Sequence, residues 1–398
     1  MTLPSLPVLR LKPKTKPQAI RRGYPWVYAN EVVTDRRTKA IAPGTVALLE
    51  DSDRSPLAVV GVNPNSKIIG RVLGGPDGEA PDQAWFAARL RKALSLRERL
   101  YPTPFYRLVH AEADGLPGVI IDRFGDIAVI QPNAAWADVL LPELVAALAD
   151  VTGVSTVLKN AGGRGRALEG LDDVDAVLMG GMPDAPIPVE MNGATYMADL
   201  VSGQKTGLFF DQRPNHAFAA SLVKGARVLD VFSHVGGFGL AALAGGAAFA
   251  LCVDGSEAAL ALALDGAARM GKADALTVQK ADAFAALTEL GEAKSEFDLV
   301  ICDPPAFAPS HKARDAGLRA YERIARLATP LVSEDGYLVL CSCSHAADLS
   351  AFTGACLRGI GRAGRRAQLL HTGTAGPDHP LMPQLAESGY LKALFFRL

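Results

Sequence analysis

The stretch Phe297-Asp298-Leu299-Val300-Ile301-Cys302-Asp303-Pro304-Pro305 constrains this chain more than any other. Its apolar run has the length and composition of a buried strand. The two prolines end it, because proline has no amide hydrogen and the residue before a proline avoids helical geometry. An acid, Asp303, is thereby held where a central strand leaves an α/β sheet, the edge at which such sheets bind ligands. Taken alone, the run also fits a strand-ending turn with a solvated Asp. The segments around it decide between the two.

From about Ala226 strand and helix patterns alternate, the mark of a parallel sheet with helices on both faces. Five strands are expected, at Arg227–Phe232, Ala248–Val253, Leu276–Lys280, Phe297–Cys302 and Tyr337–Cys341, each meeting a polar or Gly-rich segment at its carboxyl end. Residues 1–75 read differently. Val46–Glu50, Leu57–Val62 and Lys67–Leu73 are short strand patterns separated by Asp-Ser-Asp and Asn-Pro-Asn turns, which fits a small barrel. Gly74-Gly75-Pro76-Asp77-Gly78 is a linker, and a helix is expected over Gln83–Leu100 with Trp85, Phe86, Leu90, Leu94 and Leu100 on its apolar side. Strands at Val119–Asp122, Ile127–Gln131 and Thr156–Lys159, with a helix near Ala135–Ala149, form a mixed middle segment that ends at the Pro-rich stretch Met182–Pro188. The expected class is α/β in three parts: a β-rich domain over 1–76, an α+β domain over 77–188 and a Rossmann-like domain over 189–398.

Composition narrows the setting. With 49% hydrophobic and 21% charged residues among 398, the chain reads as an ordinary soluble globular protein. No run of about 18 apolar residues occurs, and the Pro- and Lys-rich N-terminus does not resemble a secretory signal. The five cysteines are odd in number and sit mostly in apolar runs, as reduced thiols in a cytoplasm would. No Cys/His set has zinc-binding spacing, so no metal is expected. The net charge of −1 hides a local excess, since residues 1–40 carry nine Lys/Arg against Glu31 and Asp35, a balance of +7. Arg89, Arg91, Lys92, Arg97 and Arg99 form a second basic patch, opposed only by Glu98. Clustered positive charge suggests a polyanion contact; a solvated basic face is the bland alternative. Trp26 and Tyr28 beside the first patch could stack on bases or belong to the core.

The cofactor signals come in chain order. The first strand of the alternating region runs into Ser233-His234-Val235-Gly236-Gly237-Phe238-Gly239, where glycines let backbone approach a ligand and open a helix N-terminus toward it. The second ends at Asp254, placed for ribose hydroxyls, and the third at Asp282, placed for an adenine amino group. An NAD site would share the glycine turn and the ribose acid, so a dehydrogenase stays open to that point. Asp282 and the Asp-Pro-Pro turn are what methyltransferases using S-adenosyl-L-methionine (SAM) add, and four such features at four successive strand ends favour SAM. The expected cofactor contacts are Phe232, Ser233, Gly236, Gly237, Asp254, Ser256, Asp282, Ala283, Asp303 and Pro304.

The fifth strand ends in Leu340-Cys341-Ser342-Cys343-Ser344. A strand cysteine is usually a small buried hydrophobe, and Cys252 and Cys302 fit that reading. Cys343 lies beyond the apolar run, in a Ser-rich turn on the ligand edge. Carbon 5 of cytosine is a poor nucleophile until a thiolate adds to carbon 6, which requires an accessible thiol near the base. Cys343 is the expected nucleophile, with Asp303 supporting the N3 edge of the ring.

Several further motifs carry a specific resemblance: Pro25-Trp26-Val27, Glu112-Ala113-Asp114-Gly115-Leu116-Pro117-Gly118, Ile121-Asp122-Arg123-Phe124-Gly125, Lys205-Thr206-Gly207, Asp211-Gln212-Arg213, Gly236-Gly237-Phe238, Asp303-Pro304-Pro305 with Phe307, Ser342-Cys343-Ser344, Asp378-His379-Pro380 and Tyr390-Leu391-Lys392. With them the chain resembles, over essentially its full length, the bacterial 23S rRNA cytosine-C5 methyltransferases of the large-subunit methyltransferase I family. The resemblance implies an N-terminal PUA RNA-binding domain, a small α/β middle domain and a Rossmann-like catalytic domain. It also implies Cys343 as nucleophile, and Lys205, Thr206, Gly207 and Asp211 close to SAM. S-adenosyl-L-homocysteine (SAH) would be the product and 23S rRNA or a large-subunit precursor the substrate. No membrane partner is expected, and a homodimer stays open. Two departures stand out: Ser233-His234-Val235 replaces the family's Ser-Tyr-Thr, and Ala306 replaces its Lys after Pro-Pro. The alternatives are a related methyltransferase on another base, such as guanine N7, or an inactive RNA-binding assembly factor.

Overall fold

The computed structural model describes residues 6–398 except 79, 202 and 204–206. The chain divides into two compact units, Met1–Asp184 with Pro377–Ser388, and Ala185–Gly376 with Gly389–Leu398.

The first unit holds two five-stranded sheets. One orders its strands Val8–Arg10, Val46–Glu50, Pro56–Val62, Ile68–Gly74 and Trp26–Tyr28 around a core that includes Leu9, Val27, Leu49, Val60 and Ile69. The other orders Ala176–Met179, Thr156–Lys159, Ile127–Pro132, Val119–Phe124 and Phe105–His110. Its core gathers Phe86 stacked on Trp136 at 5.9 Å with Leu108, Ile121 and Ile130. The helix Gln83–Leu100 has the expected bounds, started by the Asp82 carboxylate accepting the Trp85 N–H at 2.7 Å. Its apolar stripe is shorter than expected, because Leu100 is exposed at the last turn.

Buried charge ties this unit together. The Trp26 Nε1–H donates to Glu112 at 2.8 Å, and Arg71 bridges Glu112 and Glu169 at 3.2 and 3.1 Å. Asn63 and Ser66 also donate to Glu169, at 3.0 and 2.8 Å. Trp26 is therefore engaged within the unit at its polar end. The second basic patch is thinner than the sequence suggests. Arg97 is fully buried, with two bonds of 2.7 Å to the Asp114 carboxylate, and Arg89 lies over the Trp85 ring at 3.3 Å. Within the first patch Arg10 pairs with Glu50 and Arg21 with Asp51, while Lys14, Lys16, Arg22, Arg36, Arg37 and Lys39 stay exposed. The segment Pro377–Ser388 is anchored here by Asp378, whose carboxylate accepts the Arg107 N–H at 3.1 Å and whose carbonyl accepts from Arg97 at 2.9 Å.

The second unit opens on the hairpin Ile187–Met191/Ala194–Ala198, continues through the helix Arg213–Ala220 and then builds a seven-stranded sheet. Its strands, numbered here in chain order, are β1 Arg227–Val231, β2 Phe249–Asp254, β3 Leu276–Lys280, β4 Phe297–Cys302, β5 Val332–Ser342, β6 Gln368–Gly373 and β7 Lys392–Arg397. Their spatial order is 3-2-1-4-5-7-6. Neighbours from β3 through β5 pair parallel, and β7 runs antiparallel between β5 and β6. The sequence pattern supplies β1 to β4 and the second half of β5; β6 and β7 are additions. Leu229, Val231, Val300, Cys302, Leu338 and Leu340 pack with residues of the helices Ala283–Glu292, Arg314–Ala328 and Leu349–Arg362. The strand order reverses between β1 and β4, so a crevice opens at their carboxyl ends. Among the described residues no helix is long and apolar enough to cross a membrane.

Candidate active site

That crevice holds a cavity of about 600 Å³. One wall is the turn after β1, where the backbone is forced: Phe232, His234 and Gly236 have φ of +63°, +51° and +82°. Two of these are side-chain-bearing residues in the left-handed region, a strain that persists where the surroundings over-determine it. The turn ends in the helix Gly237–Ala244. A Cβ at Gly239 would lie 2.5 Å from Cys252 Sγ, so only glycine lets this helix pack against β2. The Gly239 N–H donates to Asp230 Oδ2 at 2.8 Å. Asp230 lines the cavity, is 1% exposed, and burial pushes its pKa up to about 7.

The strand-end acids follow in order. Asp254 accepts the His234 N–H at 2.9 Å and the Ser256 N–H at 2.8 Å, which fixes its carboxylate at the cavity wall. Exposed Asp282 caps the helix Ala283–Glu292 through the Ala285 N–H at 3.0 Å and lines the cavity with Ala283. Asp303 accepts from Gln212 Nε2 at 2.9 Å, and Asn215 Nδ2 donates to Gln212 Oε1 at 2.6 Å, so Gln212 is oriented with its amide hydrogens toward the acid.

Cys343 stands just past β5 and lines the same cavity as Asp303, Pro304, Pro305 and Ala306. Cys343 is half-buried, whereas the other four cysteines are buried. Cys341 is 1% exposed, and burial, then the nearby Asp303 charge, raises its thiol pKa. The turn around Cys343 is held by hydroxyls: Ser342 donates to Tyr321 at 2.9 Å, Tyr321 and Ser344 lie 2.8 Å apart, and Ser344 accepts the Ala308 N–H at 3.0 Å. This network ties the Ser-Cys-Ser turn to the loop after Asp-Pro-Pro.

Of the expected site residues, Asp211, Phe232, Ser233, Gly237, Asp254, Asp282, Ala283, Asp303, Pro304 and Cys343 line the one cavity. Gly236, Ser256 and Gly207 are not among its lining residues. Gly236 supplies the positive φ, and the Ser256 hydroxyl caps the helix Glu257–Arg269 by accepting the Ala259 N–H at 3.2 Å. Gly207 is buried at φ +100°. Lys205 and Thr206 lie outside the described residues. The sequence reading did not assign roles to Gln212, Asp230, His216 or Tyr390, which also line the cavity. His216 is buried and its pKa falls to about 3 through burial, so it is a neutral imidazole. The Tyr390 hydroxyl donates to Asp211 Oδ2 at 2.6 Å.

The residues fit SAM. Asp254 and Asp282 offer acceptors at successive strand ends. Among the described residues Asp230 Oδ1 is buried without a hydrogen-bonding partner, and when ionised this carboxylate suits a cationic ligand. Among the described residues no group of three or more His, Cys, Asp or Glu is placed to hold a metal ion.

A seven-stranded sheet of this order, parallel from β3 through β5, with an acid-rimmed cavity at its carboxyl edge defines a SAM-dependent methyltransferase. The family model described as S-adenosylmethionine-dependent methyltransferase matches residues 148–397, and that of a PUA-like domain matches residues 9–74. Ribosomal RNA large subunit methyltransferase I of Shewanella denitrificans is 34% identical, the match covering 98% of this chain and 99% of the relative. The ribosomal RNA large subunit methyltransferase of Deinococcus radiodurans is 35% identical over 99% and 98%. A candidate methyltransferase solved with SAH shares the fold at a TM-score of 0.82 and 21% identity, covering the whole of both chains. The chain belongs to the ribosomal RNA large subunit methyltransferase I family.

Proposed function

We propose that the chain methylates carbon 5 of a cytosine in 23S rRNA, or in its large-subunit precursor, in the cytoplasm. SAM, when bound, supplies an electrophilic methyl group and leaves as SAH. The Cys343 thiolate adds to carbon 6 of the ring, breaking the 5,6 double bond and making carbon 5 nucleophilic. After the methyl group is received, a base takes the carbon 5 proton, the C–H electrons re-form the 5,6 double bond, and the carbon–sulfur bond breaks to restore the thiolate. Asp303, oriented by Gln212, supports the N3 edge of the base. The target base must leave its stack to reach both groups.

The observation that carries this reading is that one cavity is lined both by Asp303 and by the single cysteine of five that is not buried. Methylation of an exocyclic amine or of guanine N7 needs no thiol there. Cys343→Ala is expected to bind SAM and RNA normally and to make no 5-methylcytosine. RNA carrying 5-fluorocytosine is expected to trap the wild-type enzyme covalently, because no carbon 5 proton can leave. A Cys343→Ala enzyme that methylates at near wild-type rate sinks the reading.

A further inference from the structure

Lys392 opens β7 and pairs across the sheet with Ser342, the last residue of β5. The residue is 8% exposed, so most of its side chain lies out of water. Nζ donates to the Ser344 carbonyl at 2.7 Å and the Ala347 carbonyl at 2.8 Å. An ammonium has three N–H groups, and the third is given to no atom among the described residues. Among the described residues Lys392 forms no ion pair. The acid in its electrostatic neighbourhood, Asp348, is exposed, caps the helix Leu349–Arg362 through the Ala351 N–H, and pairs with Arg314 at 3.3 Å. A clasp for two carbonyls could be built from a neutral amide, whereas burying a cation is expensive unless an anion answers it.

The candidate anion is close. Lys392 pairs with the residue before Cys343 and hydrogen-bonds the carbonyl of the residue after it, and its charge interacts with the Cys343 sulfur. Two carboxylates, Asp303 and Asp211, line the same cavity as that thiol, and negative charge there opposes its ionisation. A buried cation beside the turn offsets that repulsion.

Resting on Cys343 as the nucleophile, we propose that Lys392 is a positioning residue that holds the Cys343 turn and supplies the cation that stabilises its thiolate. The other four cysteines are buried, so iodoacetamide should label native enzyme at Cys343, with the site read by mass spectrometry. The labelling rate against pH gives the thiol's ionisation midpoint without RNA or SAM. Lys392→Met is expected to move that midpoint up by about one unit, roughly a tenfold loss of labelling at pH 7, the effect of removing one adjacent opposite charge. Lys392→Arg should keep the midpoint near wild type. If Lys392→Met does not fold, Lys392→Gln, which retains an amide donor, should show the same rise. An unchanged midpoint in a folded Met or Gln variant, judged by wild-type SAM affinity, would reduce Lys392 to a structural clasp. Because the readout is the thiol itself, a shifted midpoint beside a still-active Cys343→Ala enzyme would overturn the covalent mechanism and leave the Lys392 assignment standing.

Discussion

Asp230 is a carboxylate that burial brings into the working pH range, with its pKa pushed up to about 7. If its anion receives a positive group of SAM, the cofactor should bind best when Asp230 is ionised. Affinity is therefore expected to rise between about pH 6 and 8 and to level off above, and Asp230→Asn should remove that component. Calorimetric titration of both enzymes across this range checks it, with the Asn variant cancelling the cofactor's own ionisation. Without cofactor the sign is opposite. A raised carboxyl pKa means the folded state binds more protons than the unfolded state between about pH 4 and 7, so the Asp230 contribution to stability falls as pH rises through that window. Cys341 and Cys343 give a second contrast at this scale. They are separated by one residue, yet Cys341 is buried within β5 and Cys343 lies just past its end. Cys341→Ala is expected to cost about 1 kcal/mol of stability in chemical denaturation and to leave the labelling of Cys343 unchanged.

The turn after β1 is the element on which the cavity depends. Gly236 holds φ at +82° with Leu240 and Ala263 close to where a Cβ would point, at 3.0 and 3.1 Å. Gly236→Ala is expected to cost about 1–2 kcal/mol for the left-handed conformation alone, measured as a fall in the denaturation midpoint. SAM affinity should fall with it, because the Gly236 and Gly237 N–H groups both donate to the Ser233 carbonyl and hold the turn that lines the cavity. Elements like this were legible because an apolar run followed by a glycine turn or an acid is a local signal. Asp254, Asp282 and Asp303 were each found as the residue that ends such a run. The missed elements lack one. Strand β6 is an edge strand whose first four residues are exposed, so it carries no alternating apolar face. Phe105–His110 has its period broken by a register shift between Arg107 and Val109. Gln212, Tyr390 and Lys392 come from segments far from the strand ends they serve, and only tertiary structure brings Gln212 onto Asp303, 91 residues away.

At the scale of the whole molecule, the exposed basic residues of the first unit are the proposed source of RNA affinity. Neutralising Lys14, Lys16 and Arg22 together should raise the RNA Michaelis constant, leave SAM affinity alone and flatten the salt dependence. Each lost phosphate contact removes about 0.7–0.9 from the slope of log affinity against log salt. RNA binding that is unchanged at every salt concentration would make the patch a solvated face. Deleting residues 1–75 would be a poorer experiment, since buried Glu169 and partly buried Glu112 would lose Trp26, Asn63, Ser66 and Arg71. The excursion of Pro377–Ser388 into the first unit also bears on how the protein is made. Arg97 and Arg107 meet Asp378 across 281 and 271 residues of chain, and contacts of such separation form late because the intervening loop must close first. During synthesis the N-terminal unit emerges first, yet its buried arginine finds its last acceptor only when nearly the whole polypeptide exists. The part of the enzyme that is translated earliest is thus completed last.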